Sequence, residues 1–600
     1  FESLGDRGGR ARLMERTLDW LLAARPPAAL ELTASHQPAL PLDGEVITHT
    51  LRLRNTGAVT DTFHLEVAQA DWPTSFWDAR FRQPLAGEVQ LGSCQAALVG
   101  VRVEIPPGVS VNASDRALIV ARSRNDPTLA RQITLTSKRP APILLVDDDR
   151  WYNAEWHYED ALWANGLLYD RWEVGWNVGD ARGSPPLGLL RKYPIVIWFT
   201  GCDWSNPLSA PEEERLSQYL AQGGRLFLSG QDYLFARGLT PFAVDYLGVL
   251  TYTEDLTATL VYGADGHPWA EGAGPYELVY PYRNWSDALT PTEQAAVAFF
   301  GQHHHPCALT WAGERARTVF FAFPFEALRP WEARDVMGEI LFWLSPLGDS
   351  CLQASKRVAA EGETLTYTLG LRNTGITTTV SLSNTLPPEL TCLPGSLSGG
   401  VVYDAATRTI RWHGLLTAGE AITLAYRARL AAPLPDGLPV INPVRLRTGS
   451  GLDLLREIPV RVDAPDLSLS RKEALPAACC LLSPWKPPTY TVTLRNEGVK
   501  GANAHLEDRL PKELYCITET VRASSGVVTA THEAIAWSGR VGVGEVVTVT
   551  YRVGLTVPRG ARILVNEAVI QDGAGETLRR RSRIFVPALM YLPRLFVGEP

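Results

Sequence analysis

Three stretches of this 600-residue chain end in the same way. ITHTLRLRNTG (47–57), LTYTLGLRNTG (365–375) and YTVTLRNEG (490–498) each alternate apolar and polar residues and then close on Asn-x-Gly. A period of two, with β-branched residues prominent, dictates a strand that buries one face. Asn and Gly tolerate positive φ, so a turn is expected directly after each strand. A unit that recurs three times excludes one large core, and 600 residues already exceed the size at which a single core keeps growing. The last two copies also continue alike. TLPPELTCLPGSLSGGVVYDAATRTIRW, with Cys392, aligns with RLPKELYCITETVRASSGVVTATHEAIAW, with Cys516, and LTAGEAITLAYRARL then aligns with VGVGEVVTVTYRVGL. All-β sandwiches are therefore expected at 28–138, 350–462 and 465–586, with a short tail at 587–600.

Residues 141–347 follow a different rule. ILLV (143–146), IVIWF (195–199), RLFLS (225–229) and TVFFAF (318–323) are nearly continuous apolar runs, as strands of a parallel sheet covered on both faces must be. Helical stretches separate them, including APEEERLSQYLAQGG, with acidic residues in its first turn and glycines at its end. The expectation is one doubly wound α/β domain beside three sandwiches. Its closing segment, Phe325-Glu326-Ala327-Leu328 and WEARDVMGEILFWLSPL, has a second copy at the start of the chain, Phe1-Glu2-Ser3-Leu4 and GRARLMERTLDWLLAA. Residues 1–27 thus read as the last helix of another α/β domain, packed on a core that is incomplete here or supplied by a partner chain, and the chain as a piece of a longer polypeptide.

Sheets of this type bind ligands at the carboxyl ends of their strands. Those ends carry Asp147-Asp148-Asp149, Thr200-Gly201-Cys202-Asp203 and Gly230-Gln231-Asp232. Clustered carboxylates suit a hard cation, so Asp147, Asp148, Asp149, Asp203 and Asp232 form a candidate Ca²⁺ site. Against that, consecutive residues point in different directions, and one Asp could simply cap the following helix. Cys202 could act as a nucleophile with one of His303, His304 and His305 as base and Glu326 as orienter. The alternative is a buried thiol or a disulfide with Cys307. The three adjacent histidines do not share a face, which favours a solvated loop over a transition-metal site. Trp151, Tyr152, Trp156, Tyr158, Trp163, Trp172 and Trp176 could form a sugar-binding platform or pack the core. The eight cysteines contain no CxxC pair. Cys516 could pair with Cys479 or Cys480. Net charge of -8, with both signs dispersed, gives no basic stripe for nucleic acid, and no apolar run approaches the roughly 20 residues that span a bilayer.

Several of these stretches carry resemblances. ILLVDDD, YEDAL, YPIVIWFTG, YLAQGGRLFLSGQD and FPFEAL are similar to the class I glutamine amidotransferase-like superfamily, in the version found in large secreted bacterial proteins. Catalytic members place a Cys in a G-x-C-x-G elbow; here the stretch is Ser229-Gly230-Gln231-Asp232-Tyr233, and Gln cannot replace a thiolate. The resemblance therefore implies a degenerate, non-catalytic module. The last two sandwiches resemble the Ig-like conserved-repeat domain of bacterial surface proteins. The first, with Trp72-Pro73 and VRVEIPPGV, resembles the Ig-like domain beside carbohydrate-binding modules in glycosidases. The tail RIFVPALMYLPRLF is similar to Tyr-Leu-Pro endings on secreted proteins of filamentous green bacteria.

Together these imply a structural or adhesive segment of an extracellular or cell-surface protein. Its partners would be other copies or the upstream part of the same protein, or cell-surface components. Strings of sandwiches also imply an extended rod. The second reading makes the chain the accessory half of a secreted subtilisin-like protease or glycosidase whose catalytic domain lies upstream of Phe1.

Overall fold

The computed structural model describes residues 11, 13–17, 26–34, 39–41, 45–150, 152–174, 183–475, 487–556 and 562–586. Strands dominate. The chain divides into two compact units, 1–142 with 186–193, and 143–185 with 194–600.

In the first unit two four-stranded antiparallel sheets face each other. One runs Leu30–Thr33, Val46–Asn55, Ala96–Glu104, Thr74–Asp78; the other runs Glu88–Leu91, Asp61–Gln69, Ser114–Ser123, Ala130–Lys138. The alternation of Val46–Asn55 works as its period requires: Ile47, Leu51 and Leu53 are fully buried while Thr48, Thr50 and Arg52 face out.

The Asn-x-Gly repeat has a different purpose from the one its composition suggests. None of Gly57, Gly375 and Gly498 has a positive φ. Each Asn is instead fully buried and pins its turn to the body of the sandwich. Asn55 Nδ2 donates to the carbonyls of Val59 (2.8 Å) and Leu91 (2.9 Å), and its Oδ1 accepts from Gly57 N (2.9 Å). Asn373 makes the same bonds with Ile376, Leu416 and Gly375, and Asn496 makes them with Lys500, Val541 and Gly498. The glycine lets the segment that enters the module pass close by. A Cβ on Gly57 would lie 2.6 Å from Pro27 O, and one on Gly498 would lie 2.4 Å from Asp466 N.

The second unit opens with a nine-stranded mixed sheet. Five parallel strands are ordered Tyr169–Glu173, Ile143–Asp147, Ile195–Phe199, Arg225–Ser229, Arg317–Phe321. Four more extend the sheet antiparallel: Pro306–Ala312, Ala295–Gly301, Leu260–Gly263 and Tyr276–Glu277. The purely parallel sheet expected from the apolar runs is thus only its first half. The histidine run is the turn between two of the added strands. Ile143, Leu145, Ile197, Phe227 and Phe321 pack on one face with Tyr158, Leu162, Val336 and Ile340 from the helices Glu155–Ala164 and Pro330–Leu344. On the other face Phe320 meets Tyr233.

Two further sandwiches follow with matching strand orders. Cys392 pairs with Ala428 and Cys516 with Val553 at equivalent positions, and both thiols are buried. Cys479 and Cys480 lie outside the described residues.

The modules of this unit do not string out as a rod. Arg225, buried, donates to the carbonyls of Leu344 (3.1 Å), Ser345 (3.0 Å) and Thr374 (2.8 Å), tying sheet, helix end and second sandwich together. Arg456 of the second sandwich forks onto Glu339 and lies 3.7 Å from the Phe342 ring centroid. Arg461 bonds Asp572 (2.7 Å), Glu576 (2.9 Å) and the carbonyl of Ala574 (2.7 Å) in the third sandwich. That sandwich returns to the α/β sheet, where Arg583 pairs with Asp265 at 2.9 Å and Arg581 covers the Tyr262 ring. Each of the three modules therefore touches the other two.

Of the N-terminal helix only residues 11 and 13–17 are described. They are helical, but Leu13 and Met14 are about half exposed, whereas Met337, the counterpart of Met14, is fully buried.

Candidate functional site

The carboxyl ends of the parallel strands gather the acidic residues, but each acid has its own engagement. Asp147 lies 2.6 Å from Arg171, whose guanidinium also serves Glu155 and Glu173. Burial, with Asp149 beside it, pushes Asp147 up to about 8. Asp148 accepts from Trp198 Nε1 at 2.9 Å and is held well above the carboxylate range by burial. Asp149 accepts the backbone N–H of Ala154 at 2.7 Å, just ahead of the helix Glu155–Ala164, and is also raised by burial. Asp203 takes the Arg150 guanidinium at 2.5 Å and organises its own loop through Ser205 and Asn206. Asp232 is pushed up to about 6 by burial. Among the described residues no group of three His, Cys, Asp or Glu side chains is placed to hold a metal ion.

The elbow keeps the geometry of its sequence. Gly230 passes so close to the neighbouring strand end that a Cβ would fall 2.0 Å from Thr200 Oγ1. The side chain that follows is fully engaged. Gln231 Nε2 donates to the carbonyl of Arg283 (2.9 Å) and approaches Cys202 Sγ (3.5 Å), while its Oε1 accepts from Trp285 N (3.0 Å). The Gln231 amide thus clasps the segment 283–285 over the strand ends.

Cys202 is buried in this cluster. Burial, followed by the nearby Asp232 carboxylate, pushes its thiol up, opposite to what a nucleophile needs. Asp232, Tyr152, Gln231 and Glu326 are the groups that act on it most. His304 instead stacks on Phe300 and bonds Tyr262 Oη at 2.8 Å, so its ring is buried in the hairpin turn and is not a solvated group. Cys307 is a separate buried thiol, not a disulfide partner of Cys202. Glu326 is fully buried and accepts from the phenols of Tyr158 (2.8 Å) and Tyr282.

Sequence reasoning found Cys202, Gln231 and Glu326, and Tyr158 as one of the dense aromatic set near 151–176, but missed Tyr282 and Trp198, which close the site. The distances of these two along the chain carry no signal of the contact. That aromatic set divides: Tyr158 and Trp172 are buried, Trp156 and Trp163 are exposed on one helix, and Trp151 and Trp176 lie outside the described residues.

No family model matches the chain, and no curated protein matches it. Solved structures match in part. The C-terminal domain of the AgI/II polypeptide BspA from Streptococcus agalactiae is similar over 40% of this chain and 100% of its own, at 10% identity and a TM-score of 0.19. The MSCRAMM ACE of Enterococcus faecalis is similar over 41% of this chain and 96% of its own, at 8% identity and 0.16. A FixG-related protein from Vibrio parahaemolyticus covers 19% of this chain and 96% of its own, at 13% identity and 0.15. At such scores none of these assigns a family or a role.

Proposed function

We propose that this chain is a non-catalytic structural and adhesive segment of an extracellular or cell-surface protein. In this reading a degenerate amidotransferase-like module is built in among Ig-like sandwiches. The observation that carries the reading is Gln231. Acyl transfer from glutamine needs a thiolate at the elbow and a positioned imidazole. The elbow side chain here is a neutral amide committed to residues 283 and 285, burial pushes the neighbouring thiol up, and the His304 ring is taken by Tyr262 and Phe300. The module's polar surface is instead spent on its neighbours, through Arg225, Glu339 and Asp265. Such contacts suit a part that holds sandwiches in a fixed arrangement.

The test is to incubate the chain with glutamine and with an electrophilic thiol probe. Neither glutamate release nor fast labelling of Cys202 is expected. Glutamate release that disappears in Cys202→Ser would overturn the reading.

A further inference from the structure

The second and third sandwiches correspond strand for strand, so their cores can be compared position by position. Leu352 faces Leu369 as Lys472 faces Val492. Asn384 and Asp508 occupy the same place opposite Ile410 and Ile535, Tyr426 corresponds to Tyr551, and Asn442 to Asn566. In the second sandwich the polar residues form a neutral network: Asn384 Nδ2 donates to Asn442 Oδ1 (2.6 Å), Asn442 Nδ2 donates to Tyr426 Oη (2.7 Å), and Tyr426 Oη donates to Asn384 Oδ1. In the third sandwich two charges have entered together.

Only seven of the 57 basic residues in the chain are lysines, and Lys472 alone among the described ones is buried. It crosses from one sheet to the other. Its Nζ lies 2.7 Å from both Asp508 oxygens, and both side chains are 0% exposed. Tyr551 Oη donates to Asp508 Oδ2 (2.6 Å) and accepts from Asn566 Nδ2 (3.0 Å). Asn566 Oδ1, also buried, has no hydrogen-bond partner. The Tyr490 ring, 5.0 Å from Nζ, lies beside the ammonium. An amine, a carboxylate and a carboxamide thus share one dry pocket, which is a costly arrangement for a mere ion pair.

We propose that Lys472 and Asn566 become joined by an intramolecular amide bond that the folded sandwich forms itself, cross-linking its two sheets. Asp508 accepts one proton from the lysine ammonium, and the freed Nζ lone pair attacks Cγ of Asn566. The resulting carboxylic acid can donate to the vacant Asn566 Oδ1 as charge builds there. The new C–N bond forms, the bond from Cγ to Nδ2 breaks, and the departing nitrogen takes the proton held by Asp508 and the second proton of the amine, leaving as ammonium. Lysine ammonium and carboxamide thereby become a secondary amide and ammonium, with Asp508 returned as carboxylate and no oxidant or co-reactant needed. Burial lowers the Lys472 ammonium to about 8, which eases the first step.

Asn566 is the acyl group and Asp508 is not, because the proton must be carried from one nitrogen to the other. Asp508 is the one carboxylate that touches the amine, and Tyr551 links it to the amide. If Asp508 were consumed, no carrier would remain.

Mass spectrometry of the full-length chain and its proteolytic digest tests this. The intact chain is expected to be one ammonia lighter than its sequence, with a branched peptide joining Lys472 to Asn566. In Lys472→Met and Asp508→Asn the full mass should return and the branched peptide vanish; the double variant Lys472→Leu with Asp508→Asn restores the neutral pair that the sister sandwich already carries at Leu352 and Asn384, so it removes the bond without leaving a buried charge unpaired. A folded native chain with the full mass and no branched peptide overturns the proposal. So does a chain one water lighter whose branch joins Lys472 to Asp508.

Discussion

Asn55, Asn373 and Asn496 show how one side chain can hold a module to the segment that enters it. Each is fully buried, spends both amide hydrogens on carbonyls and accepts the glycine N–H two residues on. Asn496 Oδ1 also accepts from Asp466 N at 3.0 Å, on the linker itself. Replacing Asn496 by Ala leaves the buried carbonyls of Lys500 and Val541 without donors, so a loss of about 2–4 kcal/mol is expected in chemical denaturation, against near-neutrality for an exposed Asn. A second residue-scale prediction concerns pH. Asp147 is raised by burial from 3.8 to about 8. Folded Asp147 therefore keeps a proton that the unfolded chain releases, and between about pH 4 and pH 8 the native state binds more protons. This contribution to stability must fall as pH rises across that window. Urea denaturation at stepped pH should show a shallower fall in Asp147→Asn.

Among the elements, the strand-to-helix turn after Arg225–Ser229 determines what the α/β sheet can do. It has the close backbone approach at Gly230 that an elbow requires, yet the side chain it presents is a clasp. The histidines stand on the hairpin Ala295–Ala312, and their central ring is consumed by Tyr262 and Phe300. Restoring a thiol with Gln231→Cys is therefore expected to yield a soluble protein without glutaminase activity, since no imidazole is positioned to serve it. The variant should also loosen residues 283–285, which lose both Gln231 bonds; faster amide exchange at Trp285 would register it. A tenfold or greater rise in glutamate release over the parent chain would refute the prediction.

For the larger unit as a whole, arginine is the joint. Arg461 reaches three acceptors across the boundary of the second and third sandwiches, and one of them, Asp572, has a side chain that is 0% exposed. Arg461→Ala would leave the buried Asp572 carboxylate with only its backbone donors, Ala574 N and Glu576 N, and removing one partner of a buried pair costs up to about 3–5 kcal/mol. The expected outcome is earlier unfolding together with new proteolytic cleavage near residues 463–465, read on a gel time course. Unchanged cleavage and stability would mean that the two sandwiches are held by other contacts. This joint also explains the departure from the rod that a string of sandwiches suggests: once the third sandwich turns back, Arg581 and Arg583 can reach Tyr262 and Asp265.

The alternation ending at Asn55, Asn373 and Asn496 was enough to fix three sandwiches in outline, because burial of one strand face leaves its period in the sequence. The runs at 143–146, 195–199, 225–229 and 318–323 likewise announced strands buried on both faces. Tertiary structure alone decided the rest. Of the four antiparallel strands that widen the sheet, Leu260–Gly263 and Tyr276–Glu277 are too short to leave a period, and the apolar run AAVAFF of Ala295–Gly301 does not by itself say which strand it pairs with or in which direction. The glycines of Asn-x-Gly proved to answer to a neighbouring backbone, a contact that no local rule can express. The five aspartates looked like one site because they share an edge, but Arg171, Trp198, Ala154 and Arg150 divide them, and these partners come from different places along the chain. Lys472, Asp508 and Asn566, spread over the third sandwich, meet only because two sheets face each other; a pocket chemistry of that kind is a property of packing, and sequence order does not contain it.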